Sequence, residues 1–450
     1  MTLFDDLKTI LGDKGFLVAE DARAACRTDE SRTGRFTPTA VMRPNTVDQV
    51  SACLAACYAA GQTVVPQGGL TGLAGGANPR AEDMVLSLSR LSGIEEIDTQ
   101  SATVTVKAGS ILEQVQTACA EQDLIFPVDY GARGSCQIGG MIATNAGGLR
   151  TIKYGTTRAN VLGLEMVMAD GRVLTHLNKA TKDNTGFDLS NLMIGSEGAL
   201  AVITRAVFRL FPAVGAQEMA LCALASPAAA VDFFNLAREH VSVSAFEAMW
   251  PDYFEKNCTL EARQFFDEAP KMTVILEAEG DLQALLEHAF EKELILDAIL
   301  PRSLSECQEI WDVREGHRMD AAMPLLMNFD VSLPLGDMAE FVARCKAGIA
   351  EASPDTQSYF FGHMGDGNLH AILYLPGLTA EQYEAELHRM DAIIYDEVRR
   401  FSGSISAEHG VGTLKRDWLG HSRSEAELDT MRAIKTALDP KGIMNPGKVV

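Results

Sequence analysis

A chain of 450 residues exceeds one ordinary hydrophobic core, so two or three packed units are expected. Its 47% hydrophobic and 22% charged residues are those of a folded, water-soluble chain, and a formal net charge of −22 with no Lys/Arg run excludes a nucleic-acid binder. The nine cysteines are scattered without a Cys-x-x-Cys pair, which fits a reduced, cytoplasmic chain.

The opening MTLFDDLKTILGDKGF is acidic and amphipathic. It has neither a basic n-region nor a long apolar core, so no signal peptide is expected, and no apolar stretch reaches transmembrane length. Residues 1–34 read as a helical lead-in. In TVDQVSACLAACYAAGQTVVPQGG the apolar spacing predicts a helix up to Ala60, stopped by Gly61, then a strand and a glycine turn. The alternation from Thr103 to Ala108 predicts a strand. NVLGLEMVMADGRVLT predicts a hairpin around a two-residue Asp170-Gly171 turn, and ALAVITRAVFRLFP a strand ending at Pro212. Beyond Pro212 long helical patterns enter: ASPAAAVDFFNLAREH, DLQALLEHAFEKEL, a helix from about Ser303 and one over about 379–401. Strands are predicted at KMTVILEAEG, 325–334 and 357–375. This alternation indicates a second, α+β domain with an antiparallel sheet.

Two glycine-rich stretches invite a ligand. In PQGGLTGLAGG, Pro66 to Gly76, dense glycine lets backbone N–H groups approach an anion, and Thr71 adds a hydroxyl. It matches neither the dinucleotide fingerprint nor the P-loop. GSCQIGGMIATNAGG, Gly134 to Gly148, mixes glycine with Ser135 and Thr144; read together, the two suggest two backbone cradles for one large phosphate-bearing cofactor. GIMNPGKV, Gly442 to Val449, nearly matches a P-loop, but Val449 stands where the hydroxyl residue belongs.

A third stretch, FGHMGDGNLH, holds two of the nine histidines. A two-residue Asp366-Gly367 turn would set His363 directly opposite His370, with Cβ atoms roughly 4.5–5.5 Å apart, close enough to share a metal. SAEHGVG offers Glu408 as a carboxylate ligand beside His409. Two histidines, one carboxylate and an open position form a catalytic zinc arrangement; manganese and iron also suit such a mixed N/O set. In WDVREGHR, Arg314 and Arg318 are four apart, so a helix would place both on one face, suited to a carboxylate.

PQGGLTGLAGG, PVDYGARGSCQIGGMIATNAGG, YGTTRANVLGLEMVMADG, GSEGALAVIT, FGHMGDGNLH, SAEHGVGTLKRDWL and LDPKGIMNPGK together make the chain resemble the vanillyl-alcohol-oxidase/PCMH-type FAD flavoproteins. Within them it resembles the D-2-hydroxyacid dehydrogenases, above all those acting on D-2-hydroxyglutarate. The resemblance runs from about residue 35 to the end. It implies an α+β fold: a PCMH-type FAD-binding domain over 35–212, then a cap domain of the FAD-linked oxidase C-terminal type over 213–450. In that division the cap occupies about 213–400, the segment 401–450 returns to the FAD domain, and the substrate faces the flavin where the domains meet.

The resemblance also assigns residues. FAD binding falls on Pro66, Gln67, Gly68, Gly69, Leu70, Thr71, Gly72, Leu73, Ser135, Gly139, Gly140, Thr144, Gly148, Gly198, Ile203 and Asn445. Relatives that hold FAD covalently use a histidine in the first glycine loop; Gln67-Gly68-Gly69-Leu70 has none, so FAD is expected to be non-covalent. His363, His370 and Glu408 fall on metal ligands and His409 on the base. Arg314 falls on a carboxylate anchor, with Arg318, Asn328 and Asn368 as further substrate contacts. The D-2-hydroxyglutarate branch commonly has Thr or Ser near 318, Lys at 328 and Asn at 372; this chain has Arg318, Asn328 and Ile372.

The expected reaction oxidises a D-2-hydroxyacid such as D-2-hydroxyglutarate, D-malate or D-lactate. The metal lowers the hydroxyl pKa, His409 takes its proton and the C2 hydride goes to flavin N5. A D-lactate/glycolate-type dehydrogenase, a zinc hydrolase with purely structural glycine loops and a non-catalytic flavin protein are the competing readings. Without a nicotinamide fingerprint, the expected electron acceptor is an electron-transfer flavoprotein, a quinone or a cytochrome. A homodimer is the expectation from the family.

Overall fold

The structure, a computed structural model, describes residues 2–213 and 217–450, so most of the small-residue stretch after Pro212 lies outside the described residues. The chain divides into two compact units. One comprises Met1–Gly148, Tyr154–Val214 and Glu408–Val450; the other comprises Leu149–Lys153 and Gly215–Ala407.

In the first unit the helix Val47–Ala60 is capped by the Thr46 hydroxyl at one end and by Gly61 in the left-handed region at the other. Its buried face is Val50, Cys53, Leu54 and Cys57, the i, i+3, i+4, i+7 stripe of an amphipathic helix. It leads into the strand Val64–Gln67, at one edge of a four-stranded sheet completed by Met84–Ser87, Val41–Met42 and Phe16–Leu17. Residues 1–34 are therefore not a purely helical lead-in: Phe16–Leu17 joins this sheet, paired antiparallel to Val41–Met42. Ile443–Asn445 lies along the other edge, where the Asn445 N–H donates to the Val64 carbonyl at 2.8 Å.

A second, five-stranded antiparallel sheet runs in the order Ile94–Asp98, Thr103–Lys107, Ala201–Arg209, Val161–Met168, Val173–His176. The expected hairpin at Asp170-Gly171 forms, but Met168 N–H donates to the Arg172 carbonyl, so its loop has three residues rather than two.

The second unit is one seven-stranded sheet with helices against it. From edge to edge its strands are Asp297–Ile299, Glu218–Leu224, Met272–Glu279, Ser242–Met249, Gln357–Gly362, Asn368–Tyr374 and Met327–Ser332, every neighbour antiparallel. The helix Ala380–Arg400 belongs to this unit and buries Met390, Ile394, Tyr395 and Val398 on one stripe. Among the described residues no helix is long and apolar enough to cross a membrane, and all nine cysteines are free thiols.

Candidate active site

In the first unit the two glycine stretches meet. Gly69 lies so close to Ser135 that a Cβ there would sit 2.2 Å from the Ser135 carbonyl oxygen, and Gly68 abuts Gln137 and Gly140. The turn at Gly198 packs on Pro66. The second stretch is not a loop throughout: Ile138–Thr144 is a helix, with Ile138, Met141 and Ile142 buried at helical spacing. Thr144 uses its hydroxyl inside that helix, donating to the Gly140 carbonyl at 3.1 Å. Gly148 fits tightly against the Asp129 carbonyl, while Ile203 is buried in the strand Ala201–Arg209 as part of the sheet core. From the glycine loop, the Leu70 and Gly72 carbonyls accept from Glu30 and Ser31, and Leu73 is exposed at 41%.

Three buried amide oxygens around the loop have no partner among the described residues: Gln67 Oε1, Gln137 Oε1 and Asn445 Oδ1. The amide nitrogens of Gln67 and Asn445 are already used, by Cys26 O and Ala77 O (2.8 Å each) and by Gly76 O and Glu197 O (3.0 and 2.6 Å). Buried acceptors left open in this way call for donors from a ligand. The hydroxyl, imide and amine donors of FAD fit that requirement.

In the second unit the histidines stand on one face of the sheet. His370 is directly opposite Phe361 on one side and Asp330 on the other. The expected two-residue turn is replaced by a four-residue loop: Asn368 N–H donates to the His363 carbonyl, Met364–Asp366 makes a 3-10 turn, and Gly367 closes it at φ +88°. His363 is therefore the diagonal neighbour of His370 rather than its direct partner. The shift is by two residues, so both rings stay on the same face. Their centroids are 5.3 Å apart, and one nitrogen of each ring lies within 4.8 Å of one of the other's.

Each ring is backed by a buried carboxylate. His363 Nδ1 hydrogen-bonds to Glu247 Oε1 at 2.8 Å. His370 Nδ1 lies 3.8 Å from Asp330 Oδ1. Asp330 is held in turn by Asn368 Nδ2 at 2.8 Å and by the Ala407 N–H at 3.1 Å. Carboxylates behind ligating histidines set tautomer and ring orientation in metal sites. Burial acts to raise the Glu247 carboxyl, but the charges and hydrogen bonds of His363 and Arg314 outweigh it and hold the group below the usual carboxylate range.

The substrate-contact expectations are revised here. Arg314 is buried, but its Nε and Nη2 donate to Glu247 Oε2 at 2.9 and 2.5 Å and its guanidinium lies over the Phe361 ring. It backs His363 through Glu247 rather than standing open as a two-pronged anchor. Arg314 and Arg318 do not share a helical face: the helix Leu304–Glu315 ends at Gly316, φ +64°, and a new helix starts at His317. Arg318 is exposed, paired with Glu261 at 3.1 Å and donating to the Leu260 carbonyl. Asn328 is exposed on the strand carrying Asp330, and Asn368 gives its Nδ2 to Asp330 and the Val331 carbonyl while its buried Oδ1 has no hydrogen-bond partner among the described residues.

Comparison with known proteins decides the family. Residues 38–176 match an FAD binding domain, and residues 215–449 match the FAD linked oxidases, C-terminal domain. The chain belongs to the FAD-linked oxidase family. This FAD-linked oxidase is 38% identical over 427 residues to the D-2-hydroxyglutarate dehydrogenase of Xanthomonas citri pv. viticola, covering 93% of this chain and 90% of the relative. It is 36% identical over 432 residues to a putative mitochondrial D-lactate dehydrogenase of Schizosaccharomyces pombe, covering 91% and 81%. The fold of p-cresol methylhydroxylase superposes with a TM-score of 0.78 at 17% identity, over 99% of this chain and 96% of that one. The FAD-linked oxidase is thus an FAD-binding oxidoreductase with a PCMH-type fold.

Glu247 and Asp330 escaped the sequence reading. A usable signal existed in AFEAMW, where a lone carboxylate interrupts an apolar run and must be paired if buried.

Proposed function

We propose that this chain oxidises a D-2-hydroxyacid to its 2-oxo acid, with non-covalent FAD on the glycine cradle and a divalent metal, zinc by preference, on His363, His370 and Glu408. The observation that carries the metal is the pair of carboxylate-backed histidines, Glu247 behind His363 and Asp330 behind His370. Glu408 follows directly in the chain from Ala407, whose N–H is held by Asp330. The names of the relatives, D-2-hydroxyglutarate dehydrogenase and D-lactate dehydrogenase, support the substrate class.

When bound, FAD supplies a hydride acceptor and the metal supplies the positive charge that stabilises an alkoxide. His409 takes the hydroxyl proton. Glu247 holds the His363 ring through Nδ1, as a metal-ligating histidine would require, and His363 and Arg314 together keep Glu247 ionised. The electrons leave to an electron-transfer flavoprotein, a quinone or a cytochrome. A monocarboxylate such as D-lactate is the second reading, favoured by Arg318, whose guanidinium is already engaged by Glu261 and Leu260. The test is a screen of D-2-hydroxyglutarate, D-malate and D-lactate with an artificial dye acceptor, with and without chelator. Turnover of at least one D-acid, abolished by chelator, is expected; no turnover of any, or indifference to chelator, refutes the proposal.

A further inference from the structure

We propose that Glu197 is the positioning residue that sets the Glu408–His409 turn and ties it to the flavin cradle, a role that rests on the metal and proton-transfer reading above. Its carboxylate accepts two consecutive backbone donors just beyond that turn: Val411 N–H on Oε1 at 2.7 Å and Gly412 N–H on Oε2 at 2.8 Å. Successive N–H groups converging on one anion form a fixed nest. Gly410, next to His409, has φ +80°, and a Cβ there would lie 2.9 Å from the Glu197 carboxyl carbon. Glycine is thus required where the carboxylate reaches the chain.

The main chain of Glu197 is bound to the cradle. Its N–H donates to the Ala143 carbonyl at 2.8 Å, in the second glycine stretch. Its carbonyl accepts from Asn445 Nδ2, which also holds Gly76 O at the end of the first stretch. Glu197 itself sits at φ +50°, a conformation that non-glycine residues seldom adopt without a reason. The turn beyond His409 is anchored to the same loop, since Thr413 and Leu414 N–H both donate to Ala74 O. One residue, through its carboxylate and its main chain, therefore joins three segments that are far apart in sequence, and two of them carry the proposed cofactor contacts.

Glu197→Gln keeps size and shape but turns an amide N–H toward one of the two backbone N–H groups. Zn²⁺ affinity, flavin content and melting temperature are measured on purified flavin-loaded wild type, Glu197→Gln, Glu197→Asp and His363→Ala. The expected result is flavin content and melting temperature near wild type, with Zn²⁺ affinity lowered about 10-fold or more and kcat lowered while KM is kept. Glu197→Asp, which keeps the charge but withdraws it by one methylene, serves in the same way should Glu197→Gln not fold. Zn²⁺ affinity unchanged in the folded variant overturns the assignment. So does loss of Zn²⁺, flavin and melting temperature together in both variants, which would make Glu197 a general structural residue. If His363→Ala loses Zn²⁺ while Glu197→Gln keeps it, only the Glu197 assignment fails. If His363→Ala binds Zn²⁺ like wild type, the metal reading fails and takes the assignment with it.

Discussion

Replacing Glu247 by Ala strands two groups at once. Arg314 is only 5% exposed, and its guanidinium would lose both hydrogen bonds to Glu247 Oε2. His363 would lose the acceptor on Nδ1. Breaking a buried ion pair from one side costs about 3–5 kcal/mol, because the surviving charge is left without a partner. Removing both partners in Glu247→Ala/Arg314→Met should therefore cost less than the two single changes added together, with a coupling of about 2 kcal/mol or more. Denaturant unfolding of the wild type, the two single variants and the double variant gives that cycle. Glu247→Gln keeps an acceptor for His363 but not the charge, and Zn²⁺ titration of it should show affinity about 10–100-fold weaker. Additive stabilities in the cycle, together with wild-type Zn²⁺ affinity in Glu247→Gln, would refute the claim that Glu247 links Arg314 to a metal-ligating histidine.

His409→Ala should lower turnover by about 100-fold or more while leaving flavin content unchanged, as expected for a lost general base; turnover near wild type removes His409 from that role. Gly69→Ala would drive a Cβ to 2.2 Å from Ser135 O, so flavin should wash out during gel filtration, and full retention would contradict the cradle. Lys448 is buried, and burial pulls its ammonium down to about 8, only partly opposed by Asp83. An unfolded lysine titrates near 10.4, so between those pH values the unfolded chain binds more protons and stability rises with pH. Below pH 8 the full penalty of about 3 kcal/mol applies. Lys448→Met should therefore melt higher than wild type at pH 7, with the gap closing by about pH 10; a gap independent of pH would count against this.

The helix Val47–Ala60 and the long helices of the second unit were legible because their apolar spacing and caps are local. The histidine pair was legible for the same reason, since a shift of two residues leaves a side chain on its face of the sheet. The two-residue turns expected at Asp170-Gly171 and at Asp366-Gly367 are replaced by loops of three and four residues. A two-residue loop of the type expected needs positive φ at both central residues, and only the glycines adopt it here. Gly316 already marked a helix stop between Arg314 and Arg318. Strand Ser242–Met249 is buried on both faces after its first residue, so it shows no alternation to read. Glu247 and Asp330 meet their histidines only through strand pairing, which periodicity does not reveal.

Anaerobic reduction of the purified yellow protein shows whether its flavin takes electrons from a D-2-hydroxyacid and needs the metal to do so. Mixing with D-2-hydroxyglutarate, D-malate or D-lactate should bleach the flavin absorbance with at least one acid and not with its L-enantiomer. The bleaching should vanish after chelator treatment and return with added Zn²⁺ or Mn²⁺. Flavin that stays oxidised with every D-acid, or that bleaches equally after chelation, would contradict the account.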